Sequence, residues 1–340
     1  MQHARPHGGR WTSLLATLAA AVLLTLPLQP ADARPAKASA SRPAAKAATA
    51  KSPRIQRSKA TVRRAARAVV PHRPSVGEVQ GLRATDDPLE LKSSVALVVD
   101  QETNQVLLSK NPQAVLPIAS ITKLMTAVVI ADAQLDLHDR VTVTQDDVDT
   151  EMGSRSRLKV GTELTRGELL HLALMSSENR AAHALGRSFP GGMSDFVARM
   201  NAKARELGMT DTRYVEPTGL SSDNRSSARD LTLLVKTAYQ YPLLRELSTT
   251  PEAVFPVGSR QVQFRNTNGL VRNPEWDIGL QKTGYIAAAG RCLVMQAELA
   301  GRKLIMVLLD SAGKYSRIGD AERIRSWLSR SGPQESVIVR

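Results

Sequence analysis

Ser120 and Lys123 stand three residues apart in Ile118-Ala-Ser-Ile-Thr-Lys-Leu-Met-Thr-Ala-Val-Val-Ile-Ala131, a run whose only charge is the lysine. Three residues is nearly one helical turn, so on a helix the two side chains share a face and their ends come within hydrogen-bonding reach. A serine hydroxyl is a weak nucleophile until a base takes its proton. A lysine serves as that base when desolvation, or a second cation nearby, leaves its amine neutral. The apolar run supplies the desolvation. The same residues also fit an N-cap serine followed by a lysine snorkelling to water. The spacing alone is cheap, since Ser156-Arg-Leu-Lys159 and Ser311-Ala-Gly-Lys314 share it, so partners elsewhere must decide.

Two further groups qualify as partners. In Leu172-Ala-Leu-Met-Ser-Ser-Glu-Asn179 one apolar helix ends and another opens, and Ser177 and Asn179 on that junction can project in one direction. A helix N-cap is the plain alternative for Ser177, and Ser109-Lys-Asn111 and Ser222-Asp-Asn224 match the spacing. Lys282-Thr283-Gly284 occurs once, in a strand-like segment. A lysine and a hydroxyl together suit a carboxylate ligand, and a glycine lets backbone approach it closely. A lysine there also protects an exposed sheet edge.

The elements that must position these groups follow from pattern. Ser94–Asp100 and Gln105–Ser109 are strand-like runs around a polar turn, a hairpin signal. After the apolar helix, residues 139 to 247 carry amphipathic helical segments at Arg166–Met175, Asn179–Arg187, Met193–Leu207 and Ala228–Tyr239, which reads as an all-helical insert lobe. Strand character returns at Val254–Phe264, Gly279–Ile286, Arg291–Leu299 and Lys303–Asp310, and an amphipathic helix at Gly319–Ser329 closes the order. The fold class is α/β of the α+β kind: an antiparallel sheet flanked by helices and interrupted by the helical lobe, with a cleft between the two parts.

Charge divides the chain. Of its formal net charge of +14, residues 1 to 75 hold +13, from 14 Lys and Arg against Asp32. Arg5 and Arg10, an apolar core from Leu14 to Leu28 and Ala31-Asp-Ala33 read as an export signal, residues 1 to 33, cleaved after Ala33. Residues 34 to 85 are expected to be a disordered basic arm rich in Ala and Pro, with 86 to 340 the catalytic domain. Between Arg34 and Pro74 the arm has no acid and no Phe, Tyr or Trp, so an anionic envelope polymer or a membrane surface suits it better than nucleic acid. A plain solvated tether is the other reading. Cys292 is the only cysteine, so no disulfide forms within the chain. No Gly-x-Ser-x-Gly elbow, His-Glu-x-x-His, Cys-x-x-Cys or phosphate-binding glycine loop competes, and His171 and His183 read as packing or surface residues, so neither metal nor cofactor is implied.

Taken together and in this order, Ser-x-x-Lys, Ser-x-Asn and Lys-Thr-Gly resemble the active-site set of the penicillin-binding proteins and serine β-lactamases. The flanking stretches Leu116–Ala127, Leu174–Ala182, Glu216-Pro-Thr-Gly-Leu220 and Ser226–Leu231 are most similar to the low-molecular-weight D-alanyl-D-alanine peptidases, of the endopeptidase type. The resemblance implies Ser120 as nucleophile, Lys123 as its base, Ser177 as proton relay to the leaving amine and Asn179 as the group holding Lys123 and the substrate backbone. It implies substrate binding by Lys282, Thr283, Gly284 and Tyr285, with Lys282 also helping to keep Lys123 neutral. The backbone N–H groups of Ser120 and Tyr285 would form an oxyanion hole, and the substrate peptide would lie along the strand edge.

Within the family, Glu216 lacks the neighbouring asparagine that a class A β-lactamase uses for deacylation. Only 56 residues follow Gly284, too few for the extra β-rich domain and membrane helix common in D,D-carboxypeptidases. The expected activity is therefore a periplasmic serine D,D-endopeptidase that opens D-alanyl to diaminopimelyl cross-links through an acyl-enzyme, with wall peptides and β-lactams as ligands. A D,D-carboxypeptidase is the runner-up, and a catalytically silent wall-binding protein the alternative of a different class.

Overall fold

The structure is a computed structural model that describes residues 73–330 and the backbone of 337–338. The expected signal segment and most of the basic arm lie outside the described residues. The order opens with a helical turn, α1 (Val76–Val79), then β1 (Ser93–Asp100), β2 (Val106–Lys110) and the short β3 (Leu116–Pro117). A 3-10 turn over Ala119–Ile121 leads into α2 (Thr122–Asp132). The second lobe holds a ribbon of β4 (Arg140–Thr142) and β5 (Glu163–Thr165), then α3 (Arg166–Met175), α4 (Asn179–Arg187) and α5 (Gly192–Glu206). Next come β6 (Arg225–Ser226), α6 (Ala228–Ala238) and α7 (Pro242–Thr249), a hairpin of β7 (Glu252–Val257) and β8 (Arg260–Arg265), and β9 (Asp277–Ile286). β10 (Gly290–Leu299), β11 (Arg302–Ser311), α8 (Ser316–Arg330) and β12 (Val337–Ile338) complete it.

The main sheet runs β12-β2-β1-β11-β10-β9, antiparallel except where β12 joins β2. Its central strands are buried on both faces, and the period of two divides their side chains between two cores. Val95, Leu97 and Val99 of β1, with Ile305, Val307 and Leu309 of β11, pack with α2 residues Leu124, Met125 and Val128. Ala96 and Val98, with Leu304, Met306 and Leu308, pack with Ile324 and Trp327 of α8. Alternation buries both faces because each is covered by helices. Cys292 lies wholly buried on the α2 side.

Local signals start the helices of the second lobe. Thr165 and Glu168 form a reciprocal capping box on α3, Ser227 caps α6, and Pro242 opens α7. The expected all-helical lobe also holds the β4–β5 ribbon and β6, which pairs with β3; these strands of two or three residues are too short for the sequence pattern to reveal. No helix among the described residues is long and apolar enough to cross a membrane.

One boundary is corrected. The disordered arm was expected to extend to residue 85, yet Ser75 caps α1 through the Glu78 amide at 3.2 Å, and the Val76 amide donates to the Ala288 carbonyl at 2.9 Å. Gly77 lies against Asp310, where a Cβ would fall 2.4 Å from a carboxylate oxygen. Arg83 donates to the same carboxylate at 3.3 Å. Asp310 is buried, and its carboxylate accepts from Arg83 and from the Ser94 hydroxyl at 2.6 Å. Composition could not show this, because the anchor sits more than two hundred residues away.

Candidate active site

Ser120 sits at the entrance to α2, after Ala119 at a φ of 48° turns the chain out of β3. One turn on, Lys123 is wholly buried, as the apolar run requires. Its amine lies 2.9 Å from Ser120 Oγ, 2.7 Å from Asn179 Oδ1 and 2.6 Å from the Thr218 carbonyl. Asn179 is the first residue of α4, and Ser177, at a φ of 61°, turns the α3–α4 junction so that its hydroxyl accepts from Lys282 at 2.9 Å. The second partner of Lys282 is the Thr283 carbonyl at 2.9 Å. β9 is the outer strand of the sheet and presents Lys282, Thr283 and Gly284 buried, with Tyr285 more than half exposed. The fold therefore gathers the eight residues singled out from the sequence around the Ser120 turn and the adjoining edge strand.

Backbone contact sets the tolerances. A Cβ on Gly284 would lie 3.0 Å from the Ile118 carbonyl and 3.1 Å from the Ser120 nitrogen, so the absence of a side chain lets the edge strand lie against the turn that carries Ser120. Gly219, at a φ of 82°, is closer still: a Cβ would lie 1.9 Å from the Ala119 carbonyl oxygen. The loop that carries Gly219 is tied by Glu216, whose carboxylate accepts from the amides of Thr218 at 2.5 Å and Gly219 at 2.6 Å and from Asn224 Nδ2 at 2.7 Å. Asn224 also donates to the Thr122 hydroxyl at 3.1 Å, joining the loop to α2. With its oxygens occupied in this way, Glu216 is a structural tie.

Burial dominates the electrostatics. It pushes the Lys123 amine down to about 7, against the upward pull of Glu216 and Glu178. Lys282 is lowered as well, first by burial and then by Lys123 and Arg317. The expectation that Lys282 acts as the cation holding Lys123 neutral is thus amended, because Lys282 is itself a buried, displaced titrating group and desolvation is the larger influence on Lys123.

From this centre a trough leads away. A cavity of about 230 Å³ beside Asn179 and Thr218 shares Leu220 and Ser221 with a second of about 340 Å³. The second shares Arg73 and Ala287 with a third of about 520 Å³ beside Tyr285.

A profile of the peptidase S11 family, described as D-alanyl-D-alanine carboxypeptidase, matches residues 82–313. The chain belongs to the peptidase S11 family. A relative from Pseudomonas aeruginosa named D-alanyl-D-alanine endopeptidase is 51% identical over 70% of this chain and 78% of its own. One of the same name from Escherichia coli is 46% identical over 76% of this chain and 84% of its own. Among solved structures, penicillin-binding protein D2 from Listeria monocytogenes in its cefotaxime-bound form matches with a TM-score of 0.63 and 27% identity over 71% of this chain and 98% of that one.

In this S11 chain the competing motifs fall away. Ser156 donates to Glu178 at 2.6 Å and Ser311 to Ser316 at 2.7 Å, so those hydroxyls serve other partners than the lysines three residues on. His183 lies 2.7 Å from Asp147, and His171 meets Phe255 edge to face, in keeping with surface and packing roles. Sequence reasoning missed Thr218, whose carbonyl holds Lys123, although it lies inside the Glu216–Leu220 stretch. It also missed Thr267, whose hydroxyl is 2.6 Å from that of Thr283. Backbone carbonyls carry no residue-type signal, and Thr267 stands in a turn with no pattern of its own.

Proposed function

We propose that this S11 chain is a serine D,D-endopeptidase that hydrolyses D-alanyl to diaminopimelyl cross-links of peptidoglycan. The observation that carries the mechanism is the hydrogen bonding of Lys123. Asn179 Oδ1 and the Thr218 carbonyl can only accept, so a neutral amine spends both its hydrogens on them, and its lone pair is left facing Ser120 Oγ. The serine hydroxyl then donates to that lone pair, which is the orientation a general base needs.

Ser120 Oγ attacks the D-alanyl carbonyl as its proton passes to Lys123. The negative charge on the carbonyl oxygen is met by the N–H groups of Ser120 and Tyr285. Ser177, hydrogen-bonded to Lys282, passes a proton to the departing amine as the C–N bond breaks and is resupplied with the proton that Lys123 took from Ser120, which leaves Lys123 neutral. Water then attacks the acyl-enzyme, giving its proton to Lys123, which hands it to Ser120 Oγ as the ester bond breaks. Asn179 holds the base and the substrate backbone, and Thr283 orients the peptide along β9. Attack on a β-lactam follows the same first step, and the cefotaxime-bound relative supports it.

The endopeptidase names of the relatives at 46 and 51% identity support a diaminopimelyl leaving amine. We place the protein in the periplasm, with residues 1–33 removed and the arm to residue 74 resting on an anionic envelope surface. Purified protein is expected to convert cross-linked dimer muropeptides to monomers and to be labelled by a fluorescent penicillin, with labelling lost in Ser120→Ala. Mass spectra showing only loss of terminal D-Ala, with dimers intact, would transfer the assignment to a carboxypeptidase.

A further inference from the structure

The far end of the trough is basic without compensation. Arg73, Arg291 and Lys314 line the cavity beside Tyr285, and Arg317 lies near enough to Arg291 for the two to repel. Among the described residues none of the four has a carboxylate partner. Arg317 Nε and Nη1 are buried with no hydrogen-bond partner, and burial and Arg291 together lower its pKa. By contrast Arg83, at the same cavity, is paired with Glu78 and Asp310. The Arg291 guanidinium is stacked 4.3 Å from the centre of the Tyr285 ring, which fixes it at the strand end. The first turn of the 15-residue α8 adds the positive end of its dipole between Lys314 and Arg317. Arg291 and Arg317 are half-buried, where a cation without a protein partner is costly. Arg73 and Lys314 are exposed at the mouth, and an anion in the cavity would meet Arg73, Arg291 and Lys314, which line it.

Its position selects the anion. Tyr285 directly follows Lys282-Thr283-Gly284 and is also a wall of this cavity. A peptide added antiparallel to β9, with its D-alanyl carbonyl at Ser120, runs its preceding residues toward Ala287 and the basic end. In a diaminopimelate-based wall peptide the residue before that D-alanine carries a carboxylate at the end of its side chain. We propose that Arg291, Lys314 and Arg317, with Arg73 at the rim, form a carboxylate-binding subsite for the side chain of the residue preceding the scissile D-alanine. The subsite rests on the peptidase reading above, and it would make acyl-side charge a determinant of specificity.

The test compares two cross-linked muropeptide dimers that differ only in this carboxylate, one free and one converted to the carboxamide. Wild-type protein is expected to show kcat/KM about tenfold higher on the free acid, the scale of one charge-assisted contact. In Arg291→Ala combined with Lys314→Ala the ratio between the two dimers is expected to fall to about one, while Arg291→Lys keeps most of it. These positions are preferred to Arg317, whose buried guanidinium makes its loss a risk to folding. A defect in folding or chemistry would lower both rates together and leave the ratio untouched. A wild type labelled by penicillin that cleaves both dimers equally would overturn the subsite alone, as would a ratio that survives the double substitution. A wild type that takes no penicillin removes the peptidase reading, and the subsite with it.

Discussion

At the scale of single residues, the site depends on a lysine placed where a lysine is costly. Burial brings Lys123 down to about 7, and the proposed base would act only when neutral, so acylation by penicillin should rise with pH through about 7 and level off above it. Stopped-flow labelling across pH 5.5 to 9 measures this. Lys123→Arg, which cannot give up its proton, should slow acylation by about 10² or more without abolishing the fold. The same shift has a sign in stability. Because the folded pKa lies below the unfolded one, the unfolded chain holds the extra proton between about 7 and the ordinary lysine value. Lys123 thus destabilises the fold most below about 7, and its penalty fades as pH rises through that window. Residue types told much of this in advance: a lone charge in Ile118–Ala131 singled out Lys123, and in the fold Asn179 bonds to it while Ser177 bonds to Lys282. The part played by the Thr218 carbonyl was not legible, since every residue carries a carbonyl and only tertiary packing selects one.

At the scale of elements, the turn carrying Ser120 is held by two glycines on different segments. Gly219→Ala would set a methyl against the Ala119 carbonyl at a φ of 82°, a clash with backbone that no rotamer relieves. We expect a loss of about 1–3 kcal/mol, seen as a lower Tm, together with penicillin acylation at least about tenfold slower because the turn carrying Ser120 must shift. Unchanged acylation in the folded variant would show that the loop does not position the serine. The longer helices were legible because apolar residues recur along them and caps mark their starts, as with Thr165 and Glu168 of α3. α7 was missed. Its eight residues bring few apolar positions, and its Pro242 opening reads equally well as a turn. The β4–β5 ribbon and the β12 addition exist only through pairing with distant segments.

At the scale of the whole molecule, one carboxylate fastens the last helix to the first strand. Asp320 of α8 is wholly buried and accepts from the amides of Lys92 at 3.0 Å and Ser93 at 2.8 Å, and from the Ser93 hydroxyl at 2.6 Å. Asp320→Ala would leave those donors buried and unpaired, a loss of about 2–4 kcal/mol. Denaturant titration should show a lower midpoint, while the fraction still folded keeps its penicillin labelling, because Asp320 lies on the sheet face away from Lys123. A midpoint within experimental scatter of wild type would show that water replaces the carboxylate at no cost. The sheet flanked by helices was legible from the strand-like and helical runs, but its two cores and this fastening were not, since the fastening's partners are 227 residues apart in sequence.

The single thiol carries a further meaning. Cys292 is sealed in the core, and burial pushes it up to about 12, so it is neither ionised nor reachable in the native state. With one cysteine in the sequence, no disulfide within the chain contributes to the fold, so the folded protein is expected to keep its Tm whether or not reductant is present.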